Sequence, residues 1–207
     1  DERRMRYPTQ LYLKSNEEMY AAMDHPKWIE ACQNTVHISK MCELELDFKA
    51  NHAPVVKIES KGIGDWGLED KKEDSASISK HPVGSTQWYK DFCSHFDLEP
   101  FDAIGDKHIS ADQLKEHCDD ALKKLSEAGL IWRYGQDHIT EEHRARLDRE
   151  LKILADTTIS AYFLIVWDFV NEARRRGIPC NARGSGVGTM VGYCLGLSNA
   201  CPVKYGL

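Results

Sequence analysis

The stretch IPCNARGSGVGT, residues 178–189, decides how this sequence is interpreted. Three glycines fall within five residues, and an apolar stretch with helical spacing follows. Because glycine leaves the backbone uncovered, N–H groups at the start of that helix can converge on a phosphate. Ser185 and Thr189 add hydroxyl donors, and Arg183 adds a planar fork that matches phosphate geometry. The loop is therefore a candidate phosphate-binding site.

Two standard nucleotide motifs do not fit this loop. A P-loop reads G-x-x-x-x-G-K-[ST], and no lysine lies between Gly184 and Thr189. A dinucleotide fingerprint reads G-x-G-x-x-G, and Thr189 stands where its third glycine belongs. Glycines before a helix also permit close helix packing. From the residues alone, phosphate binding and a structural turn both remain open.

Three helices are predicted between residue 110 and this loop. The first begins at a capping box of Ser110 and Gln113, and Gly129 is interpreted as its stop signal. The second begins at Thr140, and the third covers about residues 160–176. The second helix is predicted to bury a stripe at Leu147, Leu151 and Leu154.

The first part of the chain is also predicted to be helical. Ser15 and Glu18 form a capping box that begins one helix. In the next helix, apolar residues recur at helical spacing, and we interpret them as ordinary core residues: Ile29, Cys32 and Val36.

Charge is distributed unevenly along the chain. The formal net charge is −6, yet no acidic residue follows Glu172, and the cations beyond it are Arg174, Arg175, Arg176, Arg183 and Lys204. A phosphate partner at this end is electrostatically favourable. Arginines at a helix C-terminus also interact favourably with the helix dipole. A structural role for the arginine triplet therefore stays open beside a nucleic-acid contact.

The composition argues against several other site types. Seven scattered cysteines form no C-x-x-C pair, which argues against a disulfide framework or a zinc knuckle. We interpret the neighbours Cys93 and His95 as a chance pairing, because structural zinc needs four ligands. The longest apolar run, residues 159–170, is too short to cross a bilayer and contains Asp168. We expect no membrane segment and a cytoplasmic location.

An ordered set of motifs runs through the second half of the chain: YFLIVWDFV at 162–170, ARRRGIP at 173–179, RGSGVGT at 183–189, YCLGL at 193–197 and PVKYGL at 202–207. Together they resemble the early palm domain of bacterial DNA polymerase III alpha subunits. Near the other end, YLKSNEEM at 12–19 resembles the segment that closes the PHP domain of the same family.

The resemblance implies a helix-rich α+β fold with a polymerase-beta-like nucleotidyltransferase palm. Residues 1–55 would be the C-terminal helical part of a PHP domain, residues 56–109 a variable connection or insertion, and residues 110–207 the first part of the palm. The chain is thus expected to be part of a DNA-directed DNA polymerase that acts in DNA replication.

In this family the Gly-Ser motif contacts the triphosphate of the incoming deoxynucleotide. The predicted triphosphate-binding residues are Arg183, Gly184, Ser185, Gly186 and Thr189. The candidate contacts to DNA phosphates are Arg174, Arg175, Arg176 and Lys204. Residues 180–182 depart from the family pattern, because they lack the usual glycines and are one residue shorter.

The resemblance also implies Mg²⁺ as the cofactor of the intact polymerase, held by aspartates beyond Leu207. We therefore predict no metal ligand and no catalytic residue in this chain, and no polymerase activity for the chain alone. Asp168 lies within an apolar helical run, and we interpret it as a capped or paired structural carboxylate.

The implied partners are a deoxynucleoside triphosphate and primer–template DNA, with the sliding clamp and other replisome subunits bound by regions elsewhere. Two alternatives remain. One is a non-catalytic nucleotide- or nucleic-acid-binding module, and the other is a nucleotidyltransferase of different specificity, since a fold does not fix a substrate. A D-x-D motif on a strand after Leu207 would favour the polymerase.

Overall fold

A computed structural model describes residues 8–46, 48, 54–63 and 79–207. The chain divides into two separate compact units, Asp1–Asn51 and His52–Leu207. Residues 64–78, which belong to the predicted connection, lie outside the described residues.

Helices α1, Asn16–Ala21, and α2, Trp28–Met41, form the described part of the first unit. The predicted capping box is confirmed. Ser15 Oγ accepts a hydrogen bond from the Glu18 amide at 3.2 Å, and Glu18 Oε2 accepts one from the Ser15 amide at 2.8 Å. The indole of Trp28 donates to the Met19 carbonyl at 2.7 Å and ties α2 to α1.

The prediction that the apolar residues of α2 form a buried core is wrong within this unit. Ile29 and Val36 are 55% and 54% exposed, and Cys32 is only partly buried. Helical periodicity places these residues on one face, but two short helices have too little surface between them to bury that face.

The second unit is helix-rich. Its described elements, in chain order, are β1 Val56–Ser60, α3 Thr86–Cys93, β2 Phe96–Pro100, α4 Ala111–Tyr134, α5 Glu141–Asp156, α6 Ser160–Arg175, α7 Met190–Cys194 and α8 Pro202–Tyr205. Short 3-10 turns lie at Gln136–His138 and Ser185–Gly188. Helices with a small sheet are consistent with the expected α+β class.

The central element of this unit is α4. Helices α3, α5, α6 and α7 all pack against it, and so does β1, which pairs antiparallel with β2 so that Ile58 lies opposite Leu98. The core includes Trp88, Leu125 and Trp167. Part of the predicted connection, residues 56–109, therefore contributes directly to the core, whereas the domain boundaries themselves stay a prediction.

The predicted helix starts at Ser110 and Thr140 are confirmed as capping boxes. The predicted end at Gly129 is wrong, because α4 continues to Tyr134 and Gly129 is buried inside it. A glycine ends a helix by adopting the left-handed conformation just after it, whereas Gly129 stays helical and allows α7 to pack closely against α4.

The apolar stripe of α5 is confirmed in part. Leu147 is 1% exposed, whereas Leu151 and Leu154 are partly buried at the edge of the core. Among the described residues, no single helix has the length and apolarity to cross a membrane. Of the described helices, only α5 and α6 taken together are long and apolar enough, and they are bent by 113° relative to each other.

Candidate phosphate-binding loop

The candidate loop connects α6 to α7 and contains the turn Ser185–Gly188. Gly184 precedes this turn with φ 109° and ψ −172°, a backbone conformation that residues with a Cβ rarely adopt. A Cβ at this position would meet nothing within 4 Å. Gly184 is therefore required by backbone conformation, and the space beside it is open.

Three residues of the loop, Arg183, Ser185 and Gly186, present unused donors. The amides of Ser185 and Gly186 begin the 3-10 turn, where a helical partner is missing, and they bond to no other described backbone group. The Ser185 hydroxyl and the Arg183 guanidinium are exposed and make no hydrogen bond or ion pair with a described residue. Residues 183–186 can therefore donate to an anion without breaking a contact.

Thr189 occupies a different position from these donors. Its hydroxyl donates to the Gly186 carbonyl at 2.7 Å and accepts from the Gly192 amide at 2.9 Å. A hydroxyl has a single hydrogen, and here it is already used within the protein. Thr189 thus caps α7 and closes the turn.

The start of α7 is also occupied by protein groups. The Val191 amide donates to Glu150 Oε2 at 3.0 Å, and the Glu150 carboxylate also accepts from Arg146 Nε at 2.5 Å. We expected N–H groups at this helix start to face a phosphate, but those of Val191 and Gly192 are bonded. The free amides lie earlier, in the loop itself.

The segment before Arg183 is held despite its missing glycines. The Ala182 amide donates to the Leu197 carbonyl at 2.9 Å, and Asn199 Nδ2 donates to Asn181 Oδ1 at 3.1 Å. Asn199 Oδ1 in turn accepts from Arg133 Nη1 at 3.3 Å. Side-chain and backbone bonds therefore anchor residues 181–182 to the segment after α7.

Arg133 is a structural residue that sequence reasoning missed. It donates to the carbonyls of Tyr193 and Ser198 at 2.8 and 2.7 Å. Its guanidinium also stacks over the rings of Trp132 and Tyr193, at 4.1 and 4.4 Å from the centroids. Burial lowers the pKa of this guanidinium, yet an arginine stays charged at neutral pH. No local motif marks these contacts, because the carbonyls lie 60 or more positions away.

The arginine triplet is divided among several contacts. Arg174 donates to the carbonyls of Leu195, at 3.4 Å, and Gly196, and so binds the end of α7. Arg175 and Arg176 share the carboxylate of Glu172, at 2.5 and 2.6 Å. These ion pairs lower the pKa of the Glu172 carboxyl, with the Arg176 hydrogen bond as the largest cause.

Lys204 makes no hydrogen bond or ion pair with the arginine triplet. It is exposed in α8, and its Nζ is 5.4 Å from the centroid of the Tyr205 ring. The structure thus brings Arg174 to α7, holds Arg175 and Arg176 at Glu172, and shows no bond between Lys204 and any of them.

Asp168 lacks the expected partner among the described residues. It is partly buried in α6 and makes no hydrogen bond or ion pair with any of them. Burial raises the pKa of its carboxyl, the nearby Glu172 carboxylate raises it further, and Arg175 opposes both. Within residues 8–46, 48, 54–63 and 79–207, no group of three or more His, Cys, Asp or Glu side chains is arranged to hold a metal ion.

Residues 120–207 match the family model for the bacterial DNA polymerase III alpha NTPase domain. The error-prone DNA polymerase of Anaeromyxobacter sp. (strain K) is 42% identical over 86 residues, which are 42% of this chain and 8% of that protein. The DNA polymerase III subunit alpha of Campylobacter jejuni is 30% identical over 213 residues, 100% of this chain and 14% of that protein. The corresponding subunit of Neisseria meningitidis serogroup A is 43% identical over 98 residues, 43% of this chain and 9% of that protein.

These matches show that the chain is similar to a segment of bacterial DNA polymerases. The predicted resemblance to bacterial DNA polymerase III alpha subunits is confirmed, because the similarity to such subunits extends over essentially the whole chain. It spans only 7–14% of the length of the curated relatives that it matches.

Proposed function

We propose that this chain is part of a DNA-directed DNA polymerase and that its loop binds the triphosphate of the incoming deoxynucleotide. The observation that carries the proposal is the set of unused donors at residues 183–186, in a chain related to DNA polymerases. The parent enzyme would transfer a deoxynucleotidyl group to a primer in DNA replication.

Each member of the loop has a separate part in this proposal. Arg183 offers a planar fork that two phosphate oxygens can accept from at once. The amides of Ser185 and Gly186 and the Ser185 hydroxyl offer further donors, and Gly184 keeps the approach uncovered. Thr189 acts through its bond to Gly186, which holds the turn closed.

The carboxylates that bind Mg²⁺ are proposed to lie in other parts of the parent polymerase, because the described residues hold no carboxylate cluster that fits a metal ion. Asp168 lies near Glu172 on the same helix, but Glu172 is paired with Arg175 and Arg176, and these two carboxylates do not provide such a cluster. The chain alone is accordingly proposed to be inactive.

Contacts to DNA form a second part of the proposal. Arg175, Arg176 and Lys204 are exposed cations that could neutralise primer–template phosphates, whereas Arg174 already binds backbone carbonyls. The sliding clamp and other replisome subunits are proposed to bind elsewhere on a cytoplasmic parent protein.

The proposal is tested in the full-length polymerase by single-nucleotide incorporation. Arg183→Ala should raise the KM for the deoxynucleotide by about tenfold or more, because it removes charge-assisted hydrogen bonds. Arg183→Lys should fall between parent and alanine variant if the contact is bidentate. Arg149→Ala, which removes an exposed arginine of α5 without a described partner, should match the parent. A parent-like KM for folded Arg183→Ala would remove Arg183 from the site.

A further inference from the structure

Glu150 of α5 is a buried carboxylate whose two oxygens accept from two different elements, α5 and α7. It is 9% exposed, its Oε1 accepts from Arg146, and its Oε2 accepts from the Val191 amide at 3.0 Å. Arg146 also donates through Nη2 to the Leu207 carbonyl at 3.1 Å. The Arg146–Glu150 pair therefore joins α5 to the start of α7.

This arrangement is more than an ordinary helix cap. Helix α7 has only five residues and already has a side-chain cap from Thr189. Burying a carboxylate is costly unless it is paired and hydrogen-bonded, and Glu150 meets both conditions through Arg146 and Val191. Because Thr189 already caps this short helix, the additional bond from the Val191 amide to Glu150 indicates a role in fixing the loop that precedes α7.

The turn before α7 is one hydrogen-bonded piece. Thr189 bonds to Gly186 on one side and to Gly192 on the other. The packing is tight, since a Cβ on Gly192 would lie 2.5 Å from the Gly186 carbonyl oxygen. A displacement of Val191 must therefore carry Gly186 with it.

We propose that Glu150 is a positioning residue for the loop: it fixes the start of α7 against α5 and thereby orients the amides of Ser185 and Gly186 toward the nucleotide triphosphate. Arg146 neutralises the carboxylate, which would otherwise repel a triphosphate bound nearby. This inference rests on the proposed function of the loop.

The test compares substitutions at Glu150 in the full-length polymerase, by steady-state single-nucleotide incorporation and thermal unfolding. Glu150→Ala should raise the KM for the deoxynucleotide by about tenfold and change kcat less, because it removes one charge-assisted hydrogen bond that holds the loop. Glu150→Gln keeps an oxygen that accepts from Val191, so its KM should stay within about threefold of the parent value. Glu150→Asp keeps the charge but is too short to reach, so its KM should rise.

Leu147→Ala is the matched control. It lies on the same helix, fully buried and one turn from Glu150, and it should lower the melting temperature without changing the KM. A parent KM for Glu150→Ala, with a lower melting temperature as in the control, would overturn the positioning role. Equal KM increases for the glutamine and alanine variants would overturn it as well. If Glu150→Ala does not fold, the comparison of Glu150→Asp with Glu150→Gln decides.

The failure of this inference is distinguishable from the failure of the proposed function. If Arg183→Ala and Ser185→Ala raise the KM but Glu150→Ala does not, the loop binds the triphosphate and Glu150 is only structural. If all three leave the KM unchanged, the loop itself has no such role.

Discussion

The carbonyl oxygen of Cys194 lies 2.1 Å from the point where a Cβ on Gly129 would be placed. Real Cβ atoms do not approach an oxygen so closely, so the backbones of α4 and α7 are in direct contact at this position. The position of α7, and with it the loop, depends on the absence of a side chain in the middle of α4.

Gly129→Ala should therefore destabilise the second unit. In an exposed helix the same change would stabilise by up to about 1 kcal/mol, but here overpacking should cost about 1–3 kcal/mol or more. Denaturant unfolding of the chain measures the effect. Glu116→Ala, exposed on the same helix, should change stability by less than about 0.5 kcal/mol. A gain in stability for Gly129→Ala would show that α7 can move away freely.

Ser185→Ala and Gly184→Val should both reduce nucleotide incorporation by the full-length polymerase. The serine variant loses one hydrogen bond to a charged group, worth about 1.5–3 kcal/mol. The valine variant should lose more, because a branched side chain is strained at φ 109° and covers the approach. Melting temperature and single-nucleotide incorporation are measured together. Normal incorporation by both folded variants would leave the loop as a turn without a triphosphate role.

Glu127 should make the stability of the second unit depend on pH. Burial raises the pKa of its carboxyl to about 7, its Oε2 has no hydrogen-bond partner among the described residues, and Lys123 is 3.9 Å from Oε1. The folded state therefore favours the protonated acid. The contribution of Glu127 to the free energy of unfolding is fully present below the unfolded pKa of about 4.3 and is lost as pH rises through about 7.

The variant Glu127→Gln removes that ionisation. At pH 8 it should be more stable than the parent by at most about 4 kcal/mol, and the difference should shrink toward pH 4.5. Thermal unfolding across this range provides the measurement. A difference that is independent of pH would mean that Glu127 ionises as readily in the folded chain as in the unfolded one.

The isolated 207-residue chain should incorporate no nucleotide. It has no acidic residue after Glu172, and the described residues contain no carboxylate cluster for a metal ion. Primer extension with Mg²⁺ is the assay. Activity that follows protein concentration and survives repurification would place catalytic carboxylates within this chain.

Much of the local structure could be predicted from the sequence, because its signals are local. The capping boxes predicted at Ser15 and Ser110 and the N-cap predicted at Thr140 depend on residues three positions apart, and all three form. The third predicted helix, about residues 160–176, corresponds to α6, and Gly177 with φ 71° follows its end. The family resemblance likewise depends on contiguous motifs and is confirmed.

Long-range contacts could not be predicted in this way. Gly129 has the same residue type as a helix stop, and only its approach to Cys194 reveals its packing role. Arg146 and Glu150 could be recognised as a helical i, i+4 pair, but nothing in the sequence connects them to Val191. The roles of Arg183 and Ser185 in binding stay predictions, because free donors in the loop allow an anion to bind but do not identify it.

Glu172 has a consequence for any DNA that reaches this surface. Because it holds both Arg175 and Arg176, it serves as an internal counterion for them. A DNA phosphate would have to exchange with this carboxylate, and the gain from displacing one anion by another is smaller than that from neutralising a bare cation. The net release of small ions on DNA binding would therefore be smaller than the number of these arginines suggests, and they would add only modestly to the DNA affinity.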